Sequence, residues 1–168
     1  MYNLRAKLNK ALEICAKEGI PYGEITGIKV NDRITKALGR CTRHKQGGVV
    51  TFSIDIKRSI TDDKITPETG IMSIICHEII HTCEGCFNHG KLFNSYGERL
   101  KKYGYDTQGT SLSMEKFCVS KEAYLQTFKY QVRCKKCGNV WGKNRMDSLI
   151  KYPSIYSCKC GGTLERIK

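Results

Sequence analysis

The stretch that decides the fold is Ile74–Phe93, IICHEIIHTCEGCFNHGKLF, which holds three of the chain's four histidines, a glutamate between two of them, and three cysteines. Within it His77-Glu78-Ile79-Ile80-His81 has the HExxH pattern, in which two histidines one helical turn apart can address a single ion. At 100° per residue Ile71, Met72, Ile75, Cys76, Ile79 and Cys83 fall within an arc of about 140°, which predicts the core face of a helix. His77 and His81 fall roughly opposite its centre and therefore line solvent or a cleft. A catalytic zinc site usually has three protein ligands and an open position. His89, beyond the Gly85 break, is the natural third ligand, and Glu98 on the following helix is its rival. Cys83 and Cys86 lie toward the core face and read as small apolar fillers.

Working outward, ITPETG before the motif predicts a helix start with Thr66 as N-cap and Pro67 at the first helical position, and Gly85 predicts its end. A second helix is expected from about Gly90 to Tyr103, with Leu92, Phe93, Tyr96 and Leu100 on one face. YGYDTQGTS after it is expected to be loop, and Met114–Phe128 has no decided pattern. Toward the N-terminus, Leu4, Leu8, Leu12 and Cys15 recur at helical spacing through residues 1–19. Between these helices ITGIKV, LGRCTRH and GVVTFSIDI alternate in short runs, with KQGG (residues 45–48) as a turn, and predict a small antiparallel sheet. The expected class is α+β: a core at 1–128, in which the motif helix packs on the short sheet, and an appendage at 129–168.

The appendage pairs Cys134 with Cys137 in RCKKCG and Cys158 with Cys160 in SCKCGG, twenty residues apart. Two close cysteine pairs on two turns are what a tetrathiolate zinc needs, and the flanking strand-like pieces predict a small β zinc ribbon. With four thiolates that zinc is structural. Its second pair is CxC, one residue tighter than usual.

The chain has 168 residues, ten cysteines and a formal charge of +13. The N-terminal MYNLRAKLNK lacks the apolar segment and cleavage site of a secretory signal. No apolar run is long enough to span a membrane. A cytoplasmic, reducing location is therefore expected, in which short cysteine spacings bind metal rather than form disulfides. So large a positive charge points to a polyanionic partner such as nucleic acid. Residues 129–168 carry ten Lys or Arg against Asp147 and Glu165, a formal +8. Arg133, Lys135, Lys136, Lys143 and Arg145, with Trp141 and the tyrosines Tyr130, Tyr152 and Tyr156 among them, suit phosphate contact and base stacking on single-stranded DNA.

CHEIIHTCEGCFNHGKLF, with NDRITKALGRCTRH before it, resembles the metal-binding segment of the SprT-like zinc metalloproteases. In that family HExxH is followed by a loop and a histidine in an HG pair that leads into a helix, and a zinc ribbon often follows the core. The resemblance spans roughly Tyr22 to the end of the chain. It implies a zincin-like core with His77, His81 and His89 as zinc ligands and Glu78 as the catalytic glutamate. It also implies a protein substrate, and the Spartan branch implies proteins crosslinked to DNA. Two other functions fit the same residues: a non-catalytic, zinc-containing nucleic-acid-binding protein, and a zinc hydrolase of small amides or peptides. An intact Glu78 weighs against the first of these.

Overall fold

The computed structural model describes residues 1–107 and 117–168. The loop expected at 103–111 and the undecided segment from Met114 both run into residues outside that range. The chain divides into two compact units, Met1–Val119 and Ser120–Lys168.

In the first unit α1 spans Leu4–Lys17 and is capped by Asn3, whose side chain accepts from the Ala6 amide. Its buried stripe is Leu4, Leu8, Ala11 and Cys15, with Leu12 only partly buried at the edge. The strands are β1 (Ile25–Asn31), β2 (Gly39–Gln46) and β3 (Val49–Lys57). β2 and β3 form a hairpin closed by Gly47 and Gly48, both at positive φ, which a two-residue turn of this hand requires.

The sheet is mixed, and this corrects the antiparallel sheet expected from the sequence. Its order is β1-β3-β2, with β1 parallel to β3 and β2 antiparallel to it. β3 buries Phe52, Ile54 and Ile56, so it takes the centre, where apolar side chains are covered by neighbours on both sides. β2 is left at an edge.

Helix α2 (Glu68–Ile80) crosses behind the sheet, and every residue from Gly70 to Ile80 is buried. Pro67 occupies the cap position with an extended backbone, and its carbonyl accepts from the amides of Gly70 and Ile71. The predicted start is thus displaced by one residue, and among the described residues the Thr66 hydroxyl finds no partner. The helix also ends earlier than Gly85. The amides of Thr82 and Cys83 turn back to the carbonyls of Ile79 and Ile80, and the Thr82 hydroxyl donates to Ile79 as well. Gly85 instead supplies a positive-φ turn inside the loop that follows. Helix α3 (Lys91–Leu100) continues as a short 3-10 turn through Tyr103 and buries Phe93, Tyr96 and Leu100. No helix among the described residues is long and apolar enough to cross a membrane.

The second unit contains α4 (Lys121–Gln126), β4 (Tyr130–Cys134), β5 (Val140–Lys143), α5 (Ser148–Lys151) and β6 (Leu164–Arg166). Its antiparallel sheet has the order β5-β4-β6. The boundary expected at Phe128 therefore lies inside this unit. The reason is local: Gln131 Nε2 donates to the Leu125 carbonyl, and the Phe128 ring sits where a Cβ on Gly142 would be, so α4 belongs with the strands. Its central cluster of buried residues is Val132, Cys134, Ile150 and Leu164. So small a core ordinarily needs a metal or another cross-link.

Candidate metal centre

His77 and His81 project from the last turn of α2, and His89 returns from the loop that ends at α3. Their ring nitrogens converge within 4.8 Å of one another. Nε2 of His77 lies 3.1 Å from Nε2 of His81 and 3.1 Å from Nε2 of His89. Nδ1 of His77 meets the Thr107 carbonyl at 2.8 Å, and Nδ1 of His81 meets the Cys86 carbonyl at 2.9 Å. A carbonyl only accepts, so both Nδ1 atoms carry the proton. In the neutral ring each Nε2 is then a bare lone pair.

Two lone pairs 3.1 Å apart cannot hydrogen bond to each other. They repel unless a cation lies between them, and carbonyl-oriented imidazoles sharing one focus are the usual surroundings of a bound metal. Nitrogens at about 2.0–2.1 Å from a tetrahedral zinc would be ~3.3 Å apart, close to the spacing seen. The residues present fit such an ion. Burial holds the pKa of His77 down, to about 4, with the charges of His81 and His89 adding to the effect against the Thr107 carbonyl. His81 is lowered chiefly by burial as well. Both rings therefore stay neutral and able to coordinate at physiological pH.

The carbonyls are held by other parts of the fold. Ser73, one turn ahead of His77, donates to the Thr69 carbonyl and accepts from the Asp106 amide, which fastens the segment that carries Thr107. The Phe93 ring lies 4.7–4.9 Å from the centroids of all three imidazoles and forms the floor beneath them. Asn94 Nδ2 donates to the His89 carbonyl and ties that residue to α3. Glu98 is not brought to the cluster; its carboxylate pairs with Lys101 at 2.7 Å on the outside of the same helix.

Glu78 is 5% exposed, so its side of the helix is closed as well. The wheel assigned His77 and His81 to solvent or a cleft, but His77 is buried and His81 is only partly exposed. In the structure Gly39 of β2 lies directly against the carboxyl group, which also accepts from the Cys41 amide. Burial pushes the Glu78 pKa up to about 8, against the Cys41 hydrogen bond and the charge of Arg40. A cation nearby would favour the ionised form.

Cys83 and Cys86 are buried in the main core, and burial raises both thiols, Cys83 to about 12. They are inert fillers, as the sequence indicated. The fourth histidine, His44, is exposed on β2 and bonds Ser53.

In the second unit the four predicted cysteines come together, with all four Sγ atoms within 4.8 Å. Cys134 Sγ is 3.5 Å from Cys160 Sγ, and Cys137 Sγ is 3.7 Å from Cys158 Sγ. Both distances are far beyond a disulfide bond and near the ~3.8 Å expected between thiolates on one tetrahedral zinc. The tight CxC pair is accommodated by Gly162, where a Cβ would lie 2.6 Å from Cys134 Sγ. The Cys134 thiol is lowered to about 6, first by the Cys137 amide.

The residues expected to touch nucleic acid are spread over this unit. Arg133 pairs with Glu165 at 2.6 Å, Lys143 with Asp147 at 3.2 Å, and Lys135 reaches Glu165 at 4.0 Å. Lys136 donates to the Cys160 carbonyl. Arg145 has no ion pair among those described. Trp141 and Tyr130 pack against the small core, whereas Tyr152 and Tyr156 are 60% and 36% exposed.

The sequence missed the two backbone carbonyls, which leave no trace in residue type. It also missed the role of Gly39, although a glycine opening a strand commonly marks a close approach. No protein-family model matches this chain, and no curated protein matches it.

Proposed function

We propose that the protein is a zinc-dependent metallopeptidase of the SprT-like, zincin type, acting on proteins associated with DNA. The observation that carries this is the convergence of three imidazole Nε2 atoms, two of them left as lone pairs by their Nδ1 partners, with a buried glutamate on the same helix. A purely structural site has no use for that glutamate, and it lacks the open position that three ligands leave.

His77, His81 and His89 would hold the catalytic zinc, which when bound supplies Lewis acidity toward a scissile carbonyl and toward water. Thr107 and Cys86 orient two of the rings through Nδ1 and keep each Nε2 free for the metal. Glu78 accepts the proton of the attacking water at its carboxylate and passes it to the leaving amine, the general-base and general-acid roles in turn. The Cys41 amide holds one side of that carboxylate, and Gly39 leaves the room it occupies. Cys134, Cys137, Cys158 and Cys160 would hold a second, structural zinc.

The nucleic-acid part rests on charge: residues 129–168 carry a formal +8 and leave Tyr152 and Tyr156 exposed for stacking on single strands. The test is cleavage of an unfolded protein substrate with and without single-stranded DNA, comparing wild type with Glu78→Gln. Cleavage by wild type alone, accelerated by DNA, is expected. Equal activity in both proteins would sink the catalytic reading, and indifference to DNA would remove the nucleic-acid part.

A further inference from the structure

A cavity of about 200 Å³ opens beside His81, lined by Cys41, Arg43, Phe52, His81 and Phe87. It shares the His81 ring with the metal centre, so whatever enters it lies next to the triad. Small-molecule sites commonly measure ~300–1,000 Å³, and this one is closer to the size of a single large side chain.

The walls have a definite chemistry. Cys41 and Arg43 are two residues apart on edge strand β2 and therefore point to the same face. Phe52 is the cross-strand partner of Arg43 and forms a buried floor. Its ring fits because position 23 is glycine, where a Cβ would fall 2.5 Å from Phe52 Cε2. Phe87, in the loop between α2 and His89, is largely exposed, and the Arg43 guanidinium lies 5.5 Å from its ring centroid. The pocket is thus apolar and aromatic within and carries a fixed positive charge at its rim.

We infer that this pocket is the specificity subsite of the peptidase: it takes an aromatic or large aliphatic side chain of the substrate residue beside the scissile bond and turns away lysine and arginine. This rests on the peptidase reading for its biological meaning. Aromatic rings pair favourably with Phe52 and Phe87 through edge and offset contacts. A lysine or arginine would lose hydration in a site whose rim carries the like-charged Arg43.

The test separates binding from chemistry. Zinc-loaded Glu78→Gln is titrated calorimetrically with two peptides that differ only in carrying Phe or Lys at one position, and wild type is assayed for cleavage of the same pair. The Phe peptide is expected to bind about tenfold more tightly. Phe87→Ala should remove that difference, and Arg43→Glu should reverse it in favour of Lys, both with unchanged zinc content. Equal affinity for the two peptides, or a preference untouched in both variants, overturns the inference even where wild type cleaves. A binding preference that follows the variants while wild type cleaves neither peptide upholds the subsite and overturns the peptidase reading alone.

Discussion

Gly39 and Glu78 are in van der Waals contact across the junction of β2 and α2, and a Cβ at position 39 would fall 2.5 Å from Oε1 of Glu78. The first residue of an edge strand thus sets where the carboxyl group on the motif helix can lie. Gly39→Ala should push that carboxylate aside while leaving the three histidines in place. The expected result is a fall of about a hundredfold in peptide cleavage, the scale of a 1 Å misplacement, with zinc stoichiometry unchanged. Kinetics paired with metal analysis checks it.

Metal content is the most direct quantity to measure. Two zinc ions per chain are expected, and each site should empty independently. His89→Ala should retain one zinc and lose cleavage, whereas Glu98→Gln should retain two. Cys137→Ser should also retain only the histidine-bound zinc and melt the second unit, whose four buried core residues are too few to hold it.

The pH response of the metal-free protein follows from the two buried groups. Glu78 has a folded pKa raised to about 8, so the folded state binds more protons than the unfolded chain above the ordinary carboxylate pKa. Its contribution is present at low pH and is lost as pH rises through 8. His77, with a folded pKa lowered to about 4, acts oppositely, and stability is lost as pH falls from 6.5 toward 4. Between pH 6.5 and 8 only the Glu78 effect remains of these two. The Tm of the first unit in the metal-free protein should therefore fall across that window, and Glu78→Gln should flatten the fall.

Phe93 supports all three imidazoles from beneath and is fully buried. Phe93→Ala is expected to cost about 3–5 kcal/mol of stability, as core aromatic truncations do. Phe93→Leu keeps much of the apolar volume but withdraws the ring from the histidines. It should weaken zinc binding by about tenfold or more with a smaller loss of stability, as changes in the support of metal ligands do. Competition with a chromophoric chelator would measure the first effect and thermal melting the second.

Much of this arrangement was legible in the residues because it rests on local spacing. HExxH puts two imidazoles on one side of a helix by periodicity alone, and CxxC with CxC brings thiols together across tight turns. The α1 stripe and the Gly47-Gly48 hairpin are equally local. The strand order was not legible, because insertion of β3 between β1 and β2 depends on which strand best tolerates burial on both sides. Nor was the end of α2, where Thr82 competes for the Ile79 carbonyl and closes the helix five residues before Gly85.

The sequence by itself determined which side chains could hold metal, since their identities and short spacings carry the chemistry. Only the tertiary structure decided that His89 rather than Glu98 joins His77 and His81, because residues on either side of a loop meet through the packing of α3 on α2. It also decided that Glu78 is buried against Gly39 and that Thr107 and Cys86 orient the rings. Those contacts run through backbone groups and close approaches between distant segments, and neither is written in residue type.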